Sequence, residues 1–145
     1  MTAEATVIER SIELWNAHDR AGSTELVNGN AQIVAPGGMR VSGKRGWEQL
    51  YDTWTNAFPD NRIENAVIFG GDGHATQAAR FIGTHTGTLR APSGDIPATG
   101  RSVDIRYCVV YRLKGGLVTS LELYFDQLDM LSQLGLVPQT AAAAG

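Results

Sequence analysis

Apolar residues recur at helical spacing up to Pro59 and at strand spacing after it. Val7, Ile8, Ile12, Leu14 and Trp15, with Ser11 among them, make one side of an amphipathic helix that ends near His18. Asp19 can cap a short second helix running through Leu26, with Gly29 as its close. The apolar stretch from Ala31 to Ala35 then breaks at Pro36-Gly37-Gly38. Trp47, Leu50, Tyr51, Trp54 and Phe58 fall at i, i+3, i+4, i+7 and i+11, one continuous stripe of a third helix. Ser42 or Gly43 starts that helix and Pro59 ends it.

Beyond Pro59, segments 62–69, 75–86, 102–113 and 117–125 are rich in β-branched and aromatic residues. Gly70-Gly71-Asp72-Gly73 and Lys114-Gly115-Gly116 separate them as hairpin turns. At ~3.3 Å per residue the last two strands each reach roughly 30 Å, long enough to curl. Alternation puts Leu121, Leu123 and Phe125 on one face of the last strand and Ser120, Glu122, Tyr124 and Asp126 on the other. Its hairpin partner sorts Ile105, Tyr107, Val109, Tyr111 and Leu113 from Arg106, Cys108, Val110 and Arg112. On the earlier strand Ala79, Phe81, Gly83 and His85 share a face. Which face is concave does not follow from alternation, because one bulge reverses it. Asp126 to Leu134 reads as a final helix closed by Gly135 and Pro138, and residues 139–145 as a disordered tail. Helices followed by an antiparallel meander predict a single α+β domain over 1–138, its helices packed on one face of a curved sheet.

Composition narrows the function classes. The chain has 145 residues, 43% hydrophobic and 19% charged, which suits one ordinary globular domain. A formal net charge of −3 gives no overall attraction to nucleic acid or to an anionic membrane. Cys108 is the one cysteine, so no internal disulfide forms. No basic-then-apolar leader opens the sequence, and no apolar run approaches the ~20 residues that cross a bilayer. The expectation is a cytoplasmic protein with no nucleic-acid or membrane partner.

Familiar chemical motifs are incomplete. Gly38 to Lys44 spells G-x-x-x-x-G-K, but Arg45 stands where a phosphate-binding loop needs Ser or Thr, and no βαβ unit surrounds it. His18, His74 and His85 are far apart, none forms an i, i+4 pair, and no metal site is expected. No G-x-S-x-G elbow announces a serine nucleophile. Carboxylates, His85, tyrosines and an aromatic interior remain. Each has a plain structural reading: Asp126 as N-cap of the last helix, Glu122 and Tyr124 facing solvent or pairing with Arg106 or Arg112, His85 bonded at a strand end, and the Trp47 stripe as core.

Phe58-Pro59-Asp60, Gly83-Thr84-His85-Thr86-Gly87, Pro97-Ala98-Thr99-Gly100-Arg101, Tyr124-Phe125-Asp126 and Leu131-Ser132-Gln133-Leu134-Gly135 follow one another in order. With these motifs the chain from Val7 to Leu136 resembles the SnoaL-like polyketide cyclases, of the nuclear transport factor 2 and ketosteroid isomerase superfamily. The resemblance implies a cone-shaped barrel, a curved sheet wrapped around the N-terminal helices, enclosing a pocket for a hydrophobic polyketide-like molecule, commonly in a homodimer. It implies intramolecular aldol closure without metal or cofactor, with Asp126 as general base. Many relatives carry E-x-W ahead of that aspartate; here Ser120 and Glu122 stand in those places. Glu122 and His85 join Asp126 as catalytic candidates. Trp15, Trp47, Trp54 and Phe58 are expected to form the wall that folds a flat substrate, and His85, Tyr107 or Tyr124 to hydrogen-bond the developing enolate. Partial burial would make Asp126 the stronger base that such a step needs. Alternatives on the same scaffold are a cofactor-independent hydroxylase, an epoxide hydrolase or isomerase using Arg80, Asp104 and Asp126, and a non-catalytic ligand-binding or dimerisation module.

Overall fold

The computed structural model describes residues 1–137; the expected tail 139–145 lies outside them. The N-terminal helices form where the periodicity places them: α1 Ala3–Asn16, α2 Arg20–Glu25 and α3 Gly43–Ala57. Thr2 caps α1 by accepting the Ala5 N–H, and Asp19 caps α2 by accepting the Gly22 N–H at 2.8 Å. His18, between the two helices, takes a left-handed φ of 56° that turns the chain sharply.

Gly29 does not close α2. It lies inside β1 Val27–Ala35, whose apolar residues Ala31, Ile33 and Ala35 are buried. The P-loop-like stretch supplies β2 Met39–Ser42, the antiparallel partner of β1. The meander then runs β3 Arg62–Gly71, β4 His74–Thr84, β7 Ser102–Lys114 and β8 Leu117–Phe125. Between β4 and β7, the expected open loop holds a small hairpin, β5 Leu89–Ala91 and β6 Gly94–Ile96. The helix α4 Gln127–Gln133 ends the described chain.

The main sheet has the order β2-β1-β8-β7-β4-β3. Every neighbouring pair in it is antiparallel except β1 with β8, which run parallel. Register shifts between Glu64 and Val67, between Arg112 and Leu113, and between Val27 and Gln32 put extra residues into the ladders. Such bulges bend and twist a strand, and they curl this sheet around α1 and α3. Asn65, at the first shift, has a left-handed φ of 54°.

The inner face carries two apolar clusters. Ile8, Ile33, Leu50, Val109 and Leu121 anchor one; Phe58, Phe81, Ile105, Met130 and Leu134 anchor the other. Gly83 and Gly87 let the end of β4 run against the end of α3. A Cβ on Gly83 would stand 3.1 Å from the Phe58 Cβ, and one on Gly87 would run into the Asn56 carbonyl. The N–H groups of Thr86 and Gly87 both donate to the Ala57 carbonyl, at 3.2 and 3.1 Å. The Gly-Thr-His-Thr-Gly stretch is thus a backbone docking joint.

Candidate functional site

The curved sheet and the helices enclose a cavity of about 90 Å³. Trp15 from α1 and Trp47, Leu50 and Trp54 from α3 form the helical wall. Gln77 and Phe81 of β4, Ile105, Tyr107, Val109 and Tyr111 of β7, and Leu121, Leu123 and Phe125 of β8 form the sheet wall. Alternation had grouped these β7 and β8 residues correctly, and the fold shows that their face is the concave one. Aromatic rings meet edge-on around the cavity: Trp15 with Trp47 at 6.0 Å, and Trp54 with Phe81 at 5.6 Å and with Phe125 at 5.4 Å.

One polar chain interrupts the apolar sheet wall. Tyr111 Oη donates to Gln77 Oε1 at 3.0 Å, and Gln77 Nε2 donates to Tyr107 Oη at 2.7 Å. Gln77 is buried, with 2% of its surface exposed, so both ends of its amide need these partners. Burial pushes both phenols well above the ordinary tyrosine range; the Ser11 hydroxyl moderates the shift at Tyr111 and the Gln77 amide moderates it at Tyr107. Both stay neutral donors at physiological pH. Trp15 Nε1 donates to Asn61 Oδ1 at 2.7 Å, while the buried Trp47 Nε1–H has no acceptor among the described residues. Among the described residues, no carboxylate, imidazole or amine lines the cavity.

The expected site residues therefore divide. Trp15, Trp47, Trp54 and Tyr107 line the cavity together. Phe58 is fully buried behind that wall, its ring against Trp54, Phe81 and His85. Glu122 and Tyr124 alternate with Leu121, Leu123 and Phe125 and so face outward; both are exposed, and the Tyr124 hydroxyl donates to Glu122 Oε2. The structure does not bring either of them to the cavity.

His85 is fully buried but is not part of the lining. The Thr99 N–H donates to its Nδ1 at 3.2 Å, and the Thr99 hydroxyl lies 3.0 Å from the same atom. Nδ1 is therefore an acceptor, and the ring's proton sits on Nε2, which has no partner among the described residues. Desolvation holds the His85 pKa below the ordinary histidine range. Its backbone completes a clamp on the following loop, accepting from the Gly100 N–H and donating to the Arg101 carbonyl, each at 2.8 Å.

Asp126 follows cavity-lining Phe125 directly. Its Oδ1 accepts the Asp129 N–H at 3.0 Å as N-cap of α4, and the residue is exposed, so the partial burial expected of it is not found. Arg80 and Asp104 form a side-chain ion pair, on strand positions that alternate with the inward Ala79, Phe81, Val103 and Ile105. That places the pair on the outer face and removes the arginine of the Asp-Arg-Asp arrangement from the cavity. Among the described residues, no group of three His, Cys, Asp or Glu is placed to hold a metal ion.

Two wall residues, Gln77 and Tyr111, were not singled out from the sequence. The signal for Gln77 was present: it is a polar residue in phase with the apolar Ala75, Ala79 and Phe81 on one strand face.

The SnoaL-like polyketide cyclase family matches residues 5–134. The chain belongs to that family. No curated protein matches it. A proposed polyketide cyclase from Pseudomonas putida KT2440 has the same fold, with a TM-score of 0.80 at 17% identity over 92% of this chain and 98% of its own. AclR, a proposed hydroxylase from Streptomyces galilaeus, is similar at a TM-score of 0.77 and 19% identity, covering 97% of this chain and 91% of its own. IdmH, a proposed polyketide cyclase from Streptomyces antibioticus, is similar at 0.73 and 23% identity, covering 90% and 96%. At these identities the likeness is one of fold. In this chain the cavity lining is aromatic with one tyrosine–glutamine–tyrosine chain.

Proposed function

We propose that the chain is a cofactor-independent enzyme of the polyketide cyclase type, acting on the reactive end of a hydrophobic, polyketide-like molecule. The observation that carries this reading is the cavity wall, aromatic on the helical side and broken on the sheet side by the tyrosine–glutamine–tyrosine chain. At about 90 Å³ the cavity is well under the ~300–1,000 Å³ of sites that engulf a drug-sized ligand. It suits one ring's bulk, with the rest of a longer substrate at the mouth.

In the proposed reaction Tyr107 hydrogen-bonds a carbonyl oxygen as it becomes an enolate. Asp126 takes the proton from the carbon between two carbonyls. The enolate carbon then forms a C–C bond to a second carbonyl carbon, whose oxygen takes back the proton from Asp126. Asp126 is assigned this part because it adjoins Phe125 at the end of a cavity strand and uses one carboxylate oxygen, Oδ1, as the cap. The test is product analysis with linear β-polyketone substrates. Wild type should give a cyclised product of unchanged elemental composition or one lacking water, with no oxygen incorporated from labelled O₂; incorporation would instead indicate a hydroxylase.

A second reading, binding without chemistry, is favoured by the absence of any acid–base group from the cavity lining. Tight binding of such a substrate with no turnover in wild type would establish it.

A homodimer is part of the proposal. Across the outer face, Val67, Ala78, Cys108 and Tyr124 stand in one row and Phe69, Thr76, Val110 and Glu122 in the next. Val67, Phe69, Val110 and Tyr124 are exposed, an apolar strip that a second copy would cover.

A further inference from the structure

Two hydrogen bonds give the polar chain in the cavity wall a direction. Tyr111 spends its only proton on Gln77 Oε1, and Gln77 spends one amide proton on Tyr107 Oη. Tyr107 Oη thus receives a hydrogen, and its own proton has no acceptor among the described residues. All three line the cavity, and Tyr107 alone is half-buried where Tyr111 and Gln77 are buried, so the unspent proton is on the most accessible of the three. The remaining walls are aliphatic and aromatic; the Trp15 indole N–H is taken by Asn61, and the Trp47 N–H is buried without an acceptor among the described residues.

We infer that Tyr111 and Gln77 are positioning residues that fix the Tyr107 proton toward the cavity, so that the site selects a ligand presenting a bare oxygen acceptor, a ketone rather than a hydrocarbon of the same shape. Turned over, the carboxamide would face Oε1 toward Tyr107 and spend that proton inside the wall, so it is the observed orientation that leaves the Tyr107 proton for a ligand. Each bond in the row also polarises the next, so the terminal O–H is a better donor than an isolated phenol. The selection reaches past Tyr107 itself: removing the Tyr111 hydroxyl frees Gln77 Oε1, the amide turns, and Tyr107 gives its proton to Gln77 instead of to the ligand. This inference rests on the reading of the cavity as a ligand site and requires no turnover.

The test is calorimetric binding of cyclohexanone and of its isostere methylenecyclohexane to wild type, Tyr107→Phe, Tyr111→Phe and Gln77→Met. Ketone affinity should fall about tenfold in each variant, the scale of one lost hydrogen bond, while hydrocarbon affinity stays within about twofold. Gln77→Met serves as the second positioning variant should Tyr111→Phe fold poorly. The opposite wiring, Tyr107 to Gln77 to Tyr111 and on to Ser11, leaves the cavity without that donor. It would show as ketone affinity indifferent to Tyr111→Phe and Gln77→Met, and would overturn the inference. Equal weakening of both ligands would reduce the two residues to structural support and overturn it as well. If wild type binds neither ligand, the cavity is not a ligand site and the inference falls with it. Ketone selection in a protein that turns nothing over would refute the cyclase reading alone.

Discussion

With Oδ1 on the Asp129 N–H, Asp126 holds the start of α4, and a well-chosen substitution separates that duty from proton transfer. Asn caps a helix about as well as Asp. Asp126→Asn should therefore leave the unfolding midpoint within a few degrees of wild type while abolishing cyclisation. Asp126→Ala should also lose about 1 kcal/mol of stability, read by urea unfolding. Tyr107→Phe should lower kcat by ~10²-fold or more, the usual cost of one oxyanion donor, with folding intact. His85 gives a pH signature. Its folded pKa lies below the ordinary 6.5, so at a pH between the two the unfolded chain binds a proton that the folded chain does not. Stability from this group is complete above about pH 6.5 and is lost as pH falls toward the folded value. Urea unfolding at pH 7.5 and 5.5 should show a smaller difference in His85→Gln than in wild type. At this scale the sequence was legible where spacing alone decides: Trp47, Leu50 and Trp54 of the α3 stripe and Tyr107 did reach the wall, while Tyr51 and Phe58 of the same stripe did not. Glu122 and Tyr124 were misplaced because alternation pairs them with Asp126 without saying which side is concave. That choice is made by bulges, which leave no local pattern.

The joint between α3 and β4 shows how two elements are held by missing side chains. Gly87→Ala would drive a methyl group into the Asn56 carbonyl, in backbone with no easy retreat, because Thr86 and Gly87 are both tied to Ala57. Overpacking of this kind costs ~1–3 kcal/mol, so the thermal midpoint should drop by several degrees. Gly29→Ala is the control: it lies in a strand and a Cβ there meets nothing within 4 Å, so its midpoint should hold. The long helices and strands were legible because each repeats its period several times. The short β2, and the three-residue strands β5 and β6, were not; they are too brief to show a period, and backbone pairing alone defines them. Gly29 read as a helix stop because a glycine after a helix commonly is one, yet here Leu26 already ends α2 and the chain is extended by Val27.

For the whole molecule, the outer-face strip predicts assembly. Phe69→Lys combined with Val110→Lys should convert a dimer to a monomer in sedimentation equilibrium and leave the far-UV circular dichroism unchanged. Both residues are exposed on the convex side and neither lines the cavity. The α+β class and the helix-then-meander order were legible from the change of period at Pro59. Strand order was only half legible. Hairpins announce themselves through Gly-rich turns, but the parallel pairing of β1 with β8 joins segments some ninety positions apart, with Ile33 opposite Leu121 and Val34 opposite Glu122. No nearby residue advertises such a pairing. It also has a consequence for biosynthesis. The ribosome delivers β8 after every other strand, yet β8 sits inside the sheet between β1 and β7. Until Phe125 clears the exit tunnel, β1 and β2 form a hairpin with an uncovered edge, and the β3–β4–β7 meander lacks its partner. A nascent chain stalled before Leu117 should accordingly be open to protease, and full resistance should arrive in one step once β8 emerges.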